Sequence, residues 1–416
     1  AIWAVGAAAA VALVFAAPRH IEGAATVFAL DEWVPLKVHT RGEYAASLAK
    51  QAPIVTLAPI YALEGDAEID PALATGPFGW RVAPLLNPLE RARFGLKGED
   101  ELLAGTLEAL PRAILTGIHD DDADSEQALL DYANEHKYVP MPLPDQGTLW
   151  LLPQATWNDT IALATTMLPT MPLAPGDPFV ATFQLQATRP ITEDLNVLVR
   201  LIGADGQDLL RSEGWPWGRP TSTWRTGDIW PDGHSLTIPA DAAPGAYKLE
   251  ITFYHPETLE LLDQPATAGY IIVDAETPQT SSLTGPVAFD DGITLVDAEL
   301  PEQPWAPGEQ ATVRLAWQAN TPARGRYTTF VHLVGADGLA AQYDQEPFGG
   351  FYPTSDWVQD VAVTDAYPLA LPDDLPAGAY QLFAGLYDPA TGQRLAWFDH
   401  GALAGDAFLV ATVQVH

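Results

Sequence analysis

"PGAYKLEITFYHPET" (244–258) and "AGAYQLFAGLYDPAT" (377–391) are two versions of one segment. In the first, Tyr247, Leu249, Ile251 and Phe253 alternate with Lys248, Glu250, Thr252 and Tyr254. In the second, Tyr380, Leu382, Ala384 and Leu386 hold the matching positions. A period of two puts one set on the core face of a β-strand and the other largely in solvent. The strand before it is "HSLTIP" (234–239) in one copy and "YPLALP" (367–372) in the other. Each ends in Pro, where a ladder donor is no longer needed.

Three more matches lie upstream in the same order. "LAPGD" (173–177) pairs with "WAPGE" (305–309) and "LIGADG" (201–206) with "LVGADG" (333–338), both at an offset of 132. "PTSTW" (220–224) pairs with "PTSDW" (353–357) at 133, the offset of the opening pair, so one inserted residue accounts for the step. The period far exceeds that of solenoid repeats, which makes these tandem domains. Roughly seven or eight short strands per ~125 residues suit an antiparallel, immunoglobulin-like β-sandwich. The expected sandwiches span 156–278 and 284–416, with the polar "DAETPQTSSLTGP" (274–286) as linker.

Residues 19–155 have another texture. Helix patterns at 43–51, 98–110 and 124–138 alternate with apolar strands at 53–63, 112–118 and 147–152. This predicts a small α/β domain with some parallel pairing, its last helix capped by Asp124 or Ser125. The chain opens with "AIWAVGAAAAVALVFAA", seventeen residues without a charge. We read residues 1–18 as the end of a transmembrane helix rather than a buried Ala-rich one, and the chain as the tail of something larger.

At 416 residues there is room for about three domains at ~100–200 residues each. The net charge, 20 basic minus 54 acidic residues, is −34. It repels nucleic-acid phosphates and anionic lipid headgroups, so no nucleic-acid partner is expected. With no cysteine there is neither disulfide nor thiolate chemistry.

Candidate sites are few. In "HDDDADSEQ" (119–127), Asp120, Asp122 and Asp124 match the start of a calcium loop. Ser125 then stands where Gly is required and Asp131 where a bidentate Glu belongs, so an acidic helix start is preferred. The nine histidines show no metal spacing; His332, in the apolar run "FVHLVG", is a core or edge residue. No nucleophile elbow, phosphate loop or dinucleotide fingerprint occurs, so no catalytic residue, metal or cofactor is assigned. "GADG" in each copy is a hairpin turn first. Glu64, Asp66 and Arg81 flank a turn-rich stretch after a buried strand, where a polar pocket or an ordinary loop would sit. Trp224 and Trp357 are equivalent in the repeat and are expected in the core. Trp215 and Trp217 lack aromatic equivalents, apart from Phe348 nearby, and are the candidates for stacking on sugar rings.

"HLVGADGLAAQYDQEPFGGFYPTSDW" (332–357) and "LPAGAYQLFAGLYDPATGQRL" (375–395) resemble the C-terminal module of bacterial polyprenyl-phosphate-sugar-dependent membrane glycosyltransferases of the dolichyl-phosphate-mannose–protein mannosyltransferase type. "PIVTLAPIYALEG" (53–65) and "ATGPFGWR" (74–81) resemble the extracytoplasmic segment after their last membrane helix. The resemblance implies a location at the cell membrane, with the bulk of the chain extracytoplasmic. It also implies a noncatalytic role, shaping access of a glycan or glycolipid acceptor or of a partner. In that family the catalytic acid lies in an early extracytoplasmic loop among many spans, and no position here matches it. The alternative is a membrane-anchored surface protein whose sandwiches bind glycans or other proteins.

Overall fold

The computed structural model describes residues 33–99, 101, 105, 110–118, 123–274, 282–302 and 304–416. The expected membrane segment at 1–18, most of the expected helix at 98–110, Asp120 and Asp122, and most of the expected linker lie outside the described residues. Among the described residues no helix is long and apolar enough to cross a membrane. The chain divides into two units, 1–153 and 154–416.

In the first unit a four-stranded sheet runs β1 (Ile54–Thr56), β2 (Ala113–Thr116), β4 (Thr148–Leu151), β3 (Val139–Pro142) in spatial order. β1 and β2 are parallel; the other two pairings are antiparallel. β3, which sequence patterning does not reveal, carries Pro140 and Pro142 and sits at the sheet edge, where missing donors are tolerated. The helices are α1 (Val34–Ala49), α2 (Pro59–Glu64), α3 (Pro77–Val82), α4 (Pro88–Phe94) and α5 (Ala123–Glu135). Val55, Leu57 and Ile114 from the sheet region pack with Leu129 and Ala133 of α5 and with Tyr138.

The strand expected over 53–63 is corrected. It stops at Thr56, whose hydroxyl accepts the Ala58 N–H, and α2 starts at Pro59. Proline in the first turn of a helix loses no hydrogen bond and presets the backbone angle. α1 and α2 then approach at Gly42 and Gly65, where an added Cβ would overlap the Tyr61 and Gly42 carbonyl oxygens respectively.

Among its described residues the second unit is built of β-sheet, with short 3-10 turns between strands and no α-helix. Its first half has β5 (Ala155–Trp157), β6 (Ile161–Met167), β7 (Pro178–Ala187), β8 (Asn196–Ile202), β9 (Asp208–Gly214), β10 (Ile229–Thr237), β11 (Gly245–Tyr254) and β12 (Ala266–Val273). They form two antiparallel sheets, β10-β7-β6-β5 and β12-β11-β8-β9. Phe183 and Leu185 of one sheet share a core with Leu249, Ile251 and Phe253 of the other, so the pair is a β-sandwich. Thr252 and Tyr254, expected in solvent, are buried. The 255–265 segment folds over that end of the strand, its Asp263 carbonyl facing the Thr252 hydroxyl.

The second half repeats the plan. It has β13 (Val287–Phe289), β14 (Ile293–Glu299), β15 (Gln310–Ala319), β16 (Thr328–Gly335), β17 (Gly338–Gln345), β18 (Ala362–Ala370), β19 (Gly378–Tyr387), β20 (Trp397–Asp399), β21 (Ala402–Gly405) and β22 (Phe408–Val415). The sheets are β18-β15-β14-β13-β20-β21 and β17-β16-β19-β22. Trp317, Val331, Leu333, Tyr367, Leu382 and Leu386 build the core between them.

The two sandwiches are joined by aromatic packing. Ala246, Tyr270 and Ile272 of the first belong to the core of the second. The Tyr270 hydroxyl donates to the Phe351 carbonyl at 2.8 Å, and its ring lies 4.4 Å from that of Tyr352. Lys248 Nζ sits 5.5 Å from the Phe351 ring centroid.

Candidate functional site in the outward sheet of the second sandwich

Duplication separates what the fold needs from what one copy has acquired. The needed parts recur atom for atom. Thr221 Oγ1 donates to Glu193 O and accepts from Leu195 N–H; Thr354 Oγ1 does the same with Gly325 O and Tyr327 N–H. Both threonines are fully buried, as Trp224 and Trp357 nearly are. The "PTS" hydroxyl that looks reactive is therefore a staple between loops.

A second shared device lies just upstream and corrects the reading of Trp217. Trp217 (φ 53°) and Phe348 (φ 54°) both adopt a left-handed backbone after a proline. Their N–H groups donate to Asp232 Oδ1 at 2.6 Å and to Asp365 Oδ2 at 2.7 Å. Phe348 is thus the structural counterpart of Trp217, at an offset of 131. The single insertion inferred from sequence resolves into two events. The hairpin after β16 is one residue shorter than that after β8, and Gly350–Tyr352 replaces the lone Arg219 before the next Pro.

Asp232 Oδ2 lies 3.0 Å from His234 Nε2, and His234 Nδ1 lies 2.9 Å from Ser212 Oγ. This Ser–His–Asp chain has the look of a catalytic relay, but the repeat explains the acid differently. Asp365 holds the Phe348 amide in the same way, while Tyr367 and Tyr343 stand in for His234 and Ser212. Burial pushes the Asp365 carboxyl above its ordinary pKa, against the pull of the Phe348 and Ala366 N–H groups. The acid is a backbone clamp in both copies.

What differs is the outward face of the sheet that contains β8 or β16. In the first sandwich Arg200 lies 2.6 Å from Asp208 and 3.7 Å from Glu250, and Lys248 lies 2.7 Å from Glu250. The charges satisfy one another. In the second sandwich the positions of Arg200, Asp208 and Glu250 are taken by His332, Leu339 and Phe383, as the strand registers show. With Phe330, Val334, Arg394 and Ala407 they line a cleft of about 400 Å³. Phe330 forms its floor, fully buried because Gly385 leaves room for its ring. The Arg394 guanidinium lies 4.3 Å from the Phe330 centroid, and His332 Nε2 lies 2.9 Å from Asp344 Oδ1. His332 is therefore neither in the core nor a lone edge residue; it faces outward, half-buried, at the wall of the cleft. Apolar ring and alkyl surface beside an Arg, an imidazole and a carboxylate suits a flat ligand with apolar faces and a hydroxylated edge.

The other candidates lie elsewhere. Trp215 is 49 % and Trp217 41 % exposed. Trp217 is not a free platform: it packs 4.7 Å from Trp230, which stacks on Trp224, and Arg219 covers it at 4.8 Å. Glu64 is engaged with His39 at 3.2 Å, and Asp66 closes the turn after α2 at φ 58°. Arg81 is exposed in the last turn of α3. Of the acidic cluster, Glu126 is buried and accepts the Gly117 N–H at 2.6 Å, fastening α5 to the end of β2. Among the described residues no group of three or more His, Asp or Glu side chains is arranged to hold a metal ion.

Only the strand alternation in "TTFVHLVG" and "GAYQLFAGLY" could have revealed the cleft from sequence, by placing His332 and Phe383 on the outer face. No family model and no curated protein matches this chain.

Proposed function

We propose that this chain is a noncatalytic, glycan-positioning region built on two immunoglobulin-like sandwiches. It would serve as the extracytoplasmic C-terminal part of a polyprenyl-phosphate-dependent membrane glycosyltransferase, to which its sequence bears a resemblance. The strand order supports the immunoglobulin-like assignment: β6, β7 and β10 share one sheet, and β8, β9, β11 and β12 the other. The observation that carries the binding role is the cleft of about 400 Å³ on the outward face of the second sandwich, at positions where the first sandwich is closed by ion pairs. Phe383 and Leu339 offer surfaces for the C–H face of a pyranose, while Arg394, His332 and Asp344 reach its hydroxyls. Neutral hexoses suit it best, because Asp344 sits beside His332 and Asp406 beside Arg394, and the chain as a whole repels anions.

The test is calorimetric titration of the full chain with neutral oligosaccharides. Phe383→Ala is expected to weaken binding at least about tenfold, the loss of one stacking contact, while Trp215→Ala changes it much less. Absence of binding across neutral glycans, or a larger loss from Trp215→Ala than from Phe383→Ala, overturns the assignment to the cleft. The parent enzyme is tested separately, by whether the gene upstream of Ala1 continues in frame through apolar helices.

A further inference from the structure

The cleft in the second sandwich opens onto a larger uncharged face. β19 and β22 pair so that Phe383 lies beside Leu409, Gln381 beside Thr412 and Ala379 beside Gln414. Phe383 is half-buried at the wall of the cleft, and the other five are exposed. Gln342 of β17, opposite His332, is exposed as well. Ala379, Gln381 and Phe383 share one side of β19 at a period of two. From Phe383 to Ala379 the strand runs about 13 Å at ~3.3 Å per residue, longer than one sugar ring.

The first sandwich uses the same positions differently. The counterparts of Gln342, Gln381 and Phe383 are Arg211, Lys248 and Glu250, as the strand registers show. The counterparts of Ala379, Thr412 and Gln414 are Ala246, Tyr270 and Ile272, and these three are buried in the core of the neighbouring sandwich. A face that receives a sandwich domain therefore carries apolar side chains there. In the second sandwich Tyr has given way to Thr, Ile to Gln and Lys to Gln, all exposed. Amides and hydroxyls both donate and accept hydrogen bonds, which matches a ligand edged with hydroxyl groups. None of these positions holds a charge with which an ionic ligand could pair.

We propose that this face continues the cleft and that the ligand is an extended chain of neutral sugars. One ring lies over Phe383 and Leu339. The rings that follow run along β19 and β22, against Gln381, Thr412 and Gln414. The proposal rests on the glycan reading of the cleft and adds to it the length of the ligand and its direction across the sheet.

The test is calorimetric titration of the full chain with glucose and mannose, and with tetrasaccharides of α-linked glucose, β-linked glucose and mannose. One tetrasaccharide is expected to bind at least about tenfold more tightly than its own monosaccharide. Gln381→Ala combined with Thr412→Ala is expected to cancel that gain, while Phe383→Ala weakens binding at both lengths. Gln381 and Thr412 are exposed, so truncating them leaves the fold intact. Equal affinity at the two lengths, or a gain that survives the double variant, overturns the proposal and leaves the reading of the cleft standing. No binding at either length overturns both. Self-association of the full chain that Gln381→Arg abolishes would make the face a protein interface, and that too overturns the proposal.

Discussion

The Thr354 hydroxyl donates to the Gly325 carbonyl at 2.7 Å and accepts the Tyr327 N–H at 2.9 Å. Two backbone groups therefore depend on one buried side chain. Its neighbour Ser355 bonds only the exposed Asp356 carboxylate. Leaving a buried polar group unpaired costs about 1–3 kcal/mol each, whereas exposed hydroxyls are nearly neutral. Thr354→Val, which keeps the shape, is expected to destabilise the second sandwich by about 2–4 kcal/mol in urea unfolding, and Ser355→Ala by less than about 0.5 kcal/mol. Equal effects would mean that the hydroxyl does not staple the loop. The recurrence of this residue in "PTSTW" and "PTSDW" is legible in the sequence. Its partners are not, because Glu193 and Gly325 lie 28 and 29 residues away.

At the scale of elements, glycines set how closely helices approach. A methyl group on Gly65 would meet the Gly42 carbonyl, which is backbone and cannot swing aside. Overpacking of this kind costs about 1–3 kcal/mol, so Gly65→Ala should lower the melting temperature of the first unit and leave the second unchanged. A calorimetric scan resolves the two. The same stretch shows where periodicity fails. "PIVTLAPIYAL" is apolar throughout, and an apolar run does not distinguish a strand from a short helix. Pro59 decides it, by fixing the backbone at a helix start. Alternation likewise shows only part of β10: the pattern covers 234–239, but the strand begins at Ile229, pairing with Gln186 of β7.

Over the whole molecule, the two sandwiches of the second unit do not behave as beads on a flexible linker. The residues that copy two has gained before its "PTS" turn, among them Phe351 and Tyr352, are those that meet Tyr270 of copy one. Tyr352 also accepts the Val358 N–H through its hydroxyl and the Trp357 indole N–H through its carbonyl, so one insertion ties the interface to the core. Burial, with Asp356 close by, pushes the Tyr270 phenol to a higher pKa, so it stays a neutral donor at physiological pH. Tyr270→Ala should remove about 3 kcal/mol of coupling and split one cooperative transition of the second unit into two. A single unsplit transition in the variant would show that the sandwiches are coupled by other contacts.

The sequence by itself determined the duplication, the strand faces and the buried Trp224 and Trp357, because each follows from period-two alternation and a near-constant offset within one chain segment. It also showed the acidic balance and the lack of cysteine. Only the tertiary structure decided that Trp217 and Phe348 are counterparts, since shared backbone angles and carboxylate clamps, not matching side chains, relate them. Only the structure decided that Leu339, His332 and Phe383 meet in one cleft. They come from three strands: a hairpin sets β17 beside β16, but β19 reaches β16 by pairing Phe383 with His332 from a distant part of the chain, and a cleft is a property of that pairing rather than of any one strand.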